Sequence, residues 1–410
     1  MSQTFIGVLK YRDFLKLWLS QATSQIALNM LTFAIVLHIY EITKSATSIS
    51  LVLVASAIPS VLFGPFSGVV ADRLNYKKIL TYTNVFRFLA IIVLIFSRNN
   101  ILALLEIVFL ISLLTQFFAP AELASIPLVV PKERLVGANS VVMTTMYGAM
   151  LFGFGLAGPL MLLFSTKWIF MICALLYLLA TLSVNRMSNF DTKIVKRIKL
   201  STWARSYEAI WSETKAGLIH IYQNKKIFMP ILKISVGWMM FGAFIVLLPK
   251  FSEFVLNIST RLIGLDIIVP AGLGMIFGSY YLDKKGKYNF NKAIKYGFIF
   301  CGLSLLVFSL YHYYAMFYFA RLITVLSSVG LGFFSSIIYV SSQTLIHLET
   351  EENLRGRVFG FLSLFINLSM ALPTLVIGGI ADLTSTFAVM FFVALAVSLY
   401  GLFLRFERSR

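Results

Sequence analysis

Apolar runs of about 20 residues alternate with short polar connections along the whole chain, and each run is long enough to cross a hydrocarbon core of about 30 Å as a helix. The first is predicted over Phe14–Ile42 and the second over Ser48–Val70, joined by Thr43-Lys44-Ser45-Ala46, a link short enough for a helical hairpin. Spans three to six follow near residues 79–97, 101–119, 139–164 and 168–186, with 98–100 and 165–167 as tight turns. Six more are predicted near 227–249, 261–282, 293–311, 315–345, 357–381 and 387–405. The pattern is that of an all-α polytopic membrane protein with twelve transmembrane helices.

The rhythm breaks once. Between Met187 and Lys226 the chain turns polar and basic, with Lys193, Lys196, Arg197, Lys199 and Arg205 close together. Trp203, Tyr207, Ile210, Trp211, Leu218, Ile221 and Tyr222 recur there near helical spacing, which predicts an interfacial amphipathic helix. The expected organisation is a six-helix half over 1–186, a cytoplasmic basic linker over 187–226, and a second six-helix half over 227–410. Lys132-Glu133-Arg134-Leu135-Val136-Gly137 aligns with Glu351-Glu352-Asn353-Leu354-Arg355-Gly356, and both follow the fourth span of their half. Two pseudo-repeated halves are the plan of duplicated transport folds, with the binding site where the repeats meet.

Composition agrees with that reading. Hydrophobic residues are 59% and charged residues 13% of the 410, more apolar surface than a soluble domain can hide. The net charge of +18 would suggest a nucleic-acid partner in a soluble protein. Here about 27 of the Lys and Arg residues fall on connections of one side, as expected of loops facing the cytoplasm and anionic lipid, so nucleic acid is not an expected partner and both termini are expected to be cytoplasmic. Cys173 and Cys301 sit in separate apolar runs and suggest neither a disulfide nor a metal site. The N-terminal stretch lacks a cleavage signal and is expected to be retained as helix one. His38, His220, His312 and His347 are scattered, no phosphate-binding loop is visible, and no enzyme activity, cofactor or metal is expected; an ion gradient is the default energy source.

Ionisable groups inside spans are functional candidates by default. Glu106 and Asp266 each lie about five residues into a span and would carry a proton inward, or else either would sit at the outer interface or pair with Arg321. Lys233 and Arg321 lie nearer span ends, where snorkelling accounts for them. Arg87, Gln25, Asn29 and Gln116 lie at depths where a central cavity would use them, with interhelical hydrogen bonding as the other reading. Met143, Met146, Tyr147 and Trp238 offer adaptable apolar surface for loosely selective binding, or simply fill a core.

Between spans two and three stands Gly68-Val69-Val70-Ala71-Asp72-Arg73-Leu74-Asn75-Tyr76-Lys77-Lys78. Glycine permits close helix approach, Asp72 suits a facing helix N-terminus, and the basic residues suit anionic headgroups. In sequence and position this resembles the signature of the major facilitator superfamily, with Asn75 in place of a glycine and Tyr76 in place of an arginine; asparagine tolerates a left-handed turn there. The resemblance implies a gating role for Gly68, Asp72, Arg73, Lys77 and Lys78, with Asp72 latching to the start of span eleven or to Arg355 or Arg357. The segments Phe117–Pro127, Val130–Leu135 and Leu354–Gly360 are similar to the branch that includes bacterial macrolide-efflux proteins and enterobactin exporters. Gly148, Gly153, Gly155, Gly158 and Pro159 loosely resemble the glycine-proline signature of antiporters. The resemblance therefore implies a monomeric multi-pass protein of the bacterial plasma (inner) membrane, exporting small amphipathic molecules such as macrolide-like drugs or siderophores by alternating access, with protons and membrane lipids as its other partners. A lysophospholipid flippase of the same fold is the rival, with Arg87 or Lys233 as its headgroup cation.

Overall fold

The computed structural model describes residues 5–71, 74–188, 221–256, 258–285, 288–315, 318–351 and 355–404. Among them, twelve helices are long and apolar enough to cross a membrane. They are α1 (Arg12–Thr43), α2 (Ala46–Ala71), α3 (Tyr76–Ser97), α4 (Ile101–Val129), α5 (Leu135–Leu163), α6 (Thr166–Asn185), α7 (Lys225–Phe254), α8 (Val269–Lys285), α9 (Phe290–Ser309), α10 (Ala320–Glu349), α11 (Arg355–Leu383) and α12 (Thr386–Phe403).

Most boundaries lie within a few residues of the hydrophobic runs, and several do not. The run expected to end at 119 continues as α4 to Val129 with Pro120 and Pro127 inside it. Each proline removes one backbone donor, but in an apolar setting the rest of the ladder has no water to exchange with, so the helix persists. The run expected to start at 315 is instead a short helix, Tyr311–Tyr314, followed by α10 from Ala320. α8 is entered through a 3-10 turn, Thr260–Leu262, and a π-helical stretch, Gly264–Ile268. The amphipathic helix expected in the basic linker falls largely outside the described residues.

The chain forms two compact units, residues 1–38 with 55–212 and residues 39–54 with 213–410. In the first, α3 packs on α4 and α6. An apolar cluster containing Phe14, Leu17, Leu80, Phe118, Val141 and Val184 closes one end of it. α3 and α4 begin at Asn75 and Asn100, whose side chains accept from the first free backbone N–H groups. Asn75 has φ −69° and ψ 117°, the extended geometry of a cap. The left-handed turn expected there does not form, because the exposed N–H groups of α3 need an acceptor more than the link needs a reversal.

In the second unit α8 and α9 flank α10, α12 lies on α9, and α7 lies on α11. A side chain at Gly278 would strike the backbone of Phe333, and one at Gly332 would strike Ala271, so α8 and α10 meet backbone to backbone. Large apolar side chains such as Phe96, Leu163, Phe392 and Phe403 are exposed, as a lipid-facing surface requires. Residues 39–54, the end of α1 and the start of α2, belong with this unit although the hydrophobic runs group them with the first half.

Candidate functional site

A buried polar cluster occupies the interior of the first unit. Arg87 on α3 is 2% exposed, lies 4.7 Å from the ring of Phe118 on α4 and 5.5 Å from that of Tyr177 on α6, and so stacks between aromatic faces. Its guanidinium donates to Asn84 Oδ1 at 3.2 Å and Thr115 Oγ1 at 2.9 Å. Asn84 in turn donates to Ser20 Oγ and accepts from Ser24 Oγ, both at 3.3 Å, tying α1 to the cluster. Glu122 of α4, 5% exposed, lies within electrostatic reach of Arg87. Three atoms here are buried without a hydrogen-bond partner: Arg87 Nε, Glu122 Oε1 and Tyr177 Oη. Leaving such atoms unmatched is costly, and a cluster of them marks a place where groups change partners.

A second polar network surrounds the Thr43–Ala46 link in the second unit. Asp382, at the end of α11, accepts from Ser45 Oγ (2.6 Å), Ala46 N (2.9 Å), Thr47 N (2.9 Å), Thr47 Oγ1 (2.7 Å) and Lys250 Nζ (2.9 Å). The first N–H groups of α2 thus find their acceptor on another helix, and the carboxylate faces the positive end of the α2 dipole. Two further pairs flank it: Lys44 donates to Glu253 at 2.6 Å, and Arg261 grips Glu41 with Nε at 2.7 Å and Nη2 at 3.2 Å. Ser50 Oγ donates to Thr374 O at 2.7 Å, and a side chain on Gly378 would strike Ala46, so α2 and α11 are in close contact there. Beside the network lies a cavity of about 470 Å³ lined by Lys250, Phe254, Tyr313, Thr386 and Phe387.

The described residues among those singled out from sequence each have surroundings of their own within their unit. Asp72 and Arg73 lie outside the described residues, and the same holds for the side chains of Gly68, Arg355 and Arg357. Lys77 donates to Met187 O at 2.6 Å, while Lys78 is exposed at the start of α3. Glu106 is exposed near the start of α4, and Asp266 is engaged by Arg321 at 2.8 Å within the π-helical stretch. Asn29 donates to Gln25 O at 2.8 Å and Gln116 to Ser112 O at 3.3 Å, each one turn back along its own helix. Met143, Met146 and Tyr147 form an exposed stripe on α5, and Trp238 packs edge-on against Phe241 and Tyr339. Gly153 touches Asn29 and Met30 of α1 closely, whereas Gly148 has open space before it. Among the described candidates of the first unit, Arg87 sits inside the buried polar cluster.

Glu122 and Asp382 were not legible as site residues. Span four was expected to end near 119, which put Glu122 in a connection; the mostly apolar stretch from Leu123 to Val130, with only Ser125 and Pro127 inside it, was the signal that it had not. Asp382 fell one residue past the predicted end of span eleven, and all its donors but Lys250 lie more than 330 residues away in sequence.

Residues 17–372 match the family described as Major Facilitator Superfamily. The chain is 24% identical over 375 residues to macrolide efflux protein A of Streptococcus pyogenes, covering 90% of this chain and 89% of that protein. Over 157 residues, 37% of this chain and 39% of the other, it is 29% identical to the uncharacterized MFS-type transporter YjbB of Bacillus subtilis (strain 168). Its fold is shared with a crystal structure of the nucleoside transporter NupG (TM-score 0.71, 14% identity, 96% of this chain and 97% of that one). The POT family transporter PepTSo shares it as well (TM-score 0.72, 13% identity, 96% and 97%). The family match across most of the length and twelve helices able to span a membrane agree, and the chain belongs to the major facilitator superfamily of transporters.

Proposed function

We propose that this transporter is a proton-coupled exporter of small amphipathic compounds, macrolide-like drugs or siderophores, working by alternating access in the bacterial plasma membrane. Both termini face the cytoplasm, as the bias of Lys and Arg toward one side implies, and the chain acts as a monomer. The observation that carries the substrate class is the near full-length likeness to macrolide efflux protein A. The exposed Met143, Met146 and Tyr147 surface and the ring group around Trp238 offer the soft, adaptable contacts such substrates need.

Alternation needs polar contacts that hold one mouth shut and can be exchanged. The network on Asp382 has that character and stands at the outer mouth; the signature segment with Gly68, Asp72, Arg73, Lys77, Lys78, Arg355 and Arg357 serves the cytoplasmic mouth. The energetics suffice: one charge falling through about 150 mV releases about 3.5 kcal/mol, enough for a gradient of a few hundredfold.

The flippase reading requires an available headgroup cation. Arg87 is enclosed by rings and polar partners, and Lys233 is 5% exposed and donates to Asn291 Oδ1 at 3.4 Å. Accumulation of a labelled macrolide and a labelled lysophospholipid in cells stripped of their own exporters, with and without this protein and a protonophore, separates the two. Lower macrolide accumulation restored by the protonophore is expected. A change confined to lysophospholipid distribution would replace export with lipid flipping.

A further inference from the structure

We propose that Glu122 is the proton-binding residue of this transporter and that Arg87 is the positive charge competing with the proton for its carboxylate. The assignment rests on the proton-coupled reading above and supplies the residue that reading lacks. Glu106 is exposed and Asp266 is already held by Arg321, so neither is both buried and open to exchange.

The case begins from what a carboxylate needs when water is excluded. An enclosed negative charge must be balanced, and the balance is either a cation or a proton. Glu122 has the cation Arg87 acting on it from within the same buried cluster. Arg87 is near enough to interact with it electrostatically, but no ion pair within 4 Å joins them among the described residues, and Glu122 Oε1 is left without a hydrogen-bond partner. Arg87 does not need Glu122 to stay in place, because Asn84, Thr115, Phe118 and Tyr177 already hold its guanidinium. Its Nε–H remains unused, as does the Tyr177 hydroxyl. The Arg87 Nε–H receives the carboxylate when the proton leaves; in the protonated state Arg87 relaxes onto its present partners. The step moves one proton between water and a Glu122 oxygen, and every other group keeps its protons.

The titratable group acting on Glu122 is Arg87 from α3, which acts in turn on Tyr177 of α6, with Cys173 buried on α6 beside Tyr177. α1 enters through uncharged Ser20, Gln21 and Ser24, and α5 presents Val141 and Val142 to the same region. Glu122 lies seven residues before Val129, about 10 Å from that end of α4 at 1.5 Å per residue. The cluster of Leu17, Leu80, Ala121, Ile126, Val141 and Val184 seals that end, so a packing change there would admit water to the carboxyl group.

The test uses the full-length protein in two readouts. In lipid nanodiscs, infrared difference spectra across an acid-to-alkaline step should show a protonated carboxyl band that Glu122→Gln abolishes and that Glu106→Gln and Asp266→Asn leave intact. In inside-out vesicles, proton-driven accumulation of a labelled macrolide should fall in Glu122→Gln to the level without a gradient, while exchange of macrolide across the membrane at equal pH persists; Glu122→Asp should restore part of the driven uptake. A carboxyl band unchanged in Glu122→Gln overturns the assignment whatever the substrate proves to be. Driven uptake that survives in Glu122→Gln with its pH dependence intact overturns it as well. If wild-type vesicles show no proton-driven uptake while the Glu122 band titrates, the export reading fails and the proton site stands.

Discussion

Lys44 has the only positive φ among the described non-glycine residues, 52°, and it stands in the left-handed position that closes α1, with its N–H bonded to Tyr40 O at 2.8 Å. Glycine usually fills that position, and a side chain there costs about 1 kcal/mol. Lysine is kept because its ammonium reaches Glu253, a pair whose side chains are 52% and 37% exposed and therefore worth no more than about 1 kcal/mol. The two terms nearly cancel, which gives an ordering contrary to ordinary substitution rules. Lys44→Gly should change stability in detergent by less than about 0.5 kcal/mol, whereas Lys44→Ala should lose about 1 kcal/mol because the strain remains and the pair is gone. Equal melting shifts for the two variants would show that the backbone strain is not felt. Little of this was visible in advance: the 43–46 link was legible as a short turn, but a lysine in a turn carries no mark of its φ. Asn75 was misread for a related reason, since asparagine suits both a left-handed turn and a helix cap, and only the unmatched N–H of Lys78 decides between them.

Among whole helices, hydrophobic runs locate nearly every element because a spanning segment must satisfy its own backbone and stay apolar for about 20 residues. The rule weakens where a proline falls inside a run, as at Pro120 in α4, since the sequence cannot say whether neighbouring helices will hold the ladder together. What the runs leave unsaid is which faces meet. α8 and α10 approach through Gly274 and Gly278 on one side and Gly332 on the other, a seam with no room for a methyl group. Gly278→Val should therefore force the helices apart and cost about 1–3 kcal/mol, lowering the melting temperature in detergent. Gly379→Ala, which meets nothing within 4 Å, is the matched control and should leave it unchanged. A Gly278→Val protein melting with the wild type would mean that the seam opens without penalty. The same seam explains the site's partial legibility: Asp266, at the π-helical entry to α8, could be paired with Arg321 from sequence as one of two alternatives, but the bulge that presents it could not be foreseen.

At the level of the molecule, the question is what holds the 39–54 segment against α7 and α11. Among the charged contacts of this segment, the exposed Lys44–Glu253 pair is weakened by salt, and Glu41 with Arg261 of the 260–262 turn is partly so. Asp382 is different: two backbone N–H groups, two hydroxyls and an ammonium converge on one carboxylate, and Lys250 has its side chain 15% exposed. Replacing the carboxylate by an amide turns one of its two accepting oxygens into a donor group and leaves Lys250 without its counter-charge, a loss of about 1–3 kcal/mol, which corresponds to a shift of about 5- to 150-fold in a two-state population. On the proposed alternating-access mechanism, Asp382→Asn should thus populate the state in which this segment has left α7 and α11. Spin labels at Ile42→Cys and Phe254→Cys, both exposed positions, would report a longer distance in Asp382→Asn, and Cys173 and Cys301 are too buried to compete for the label. Raising the salt concentration in the wild type should move the distribution far less than the substitution does, because the screened pairs are the weaker ones. Asp72→Asn, acting at the proposed cytoplasmic latch, should move the same distribution in the opposite direction. A distance distribution that ignores Asp382→Asn would reduce the network to a helix cap and leave the exchange between access states to be controlled elsewhere.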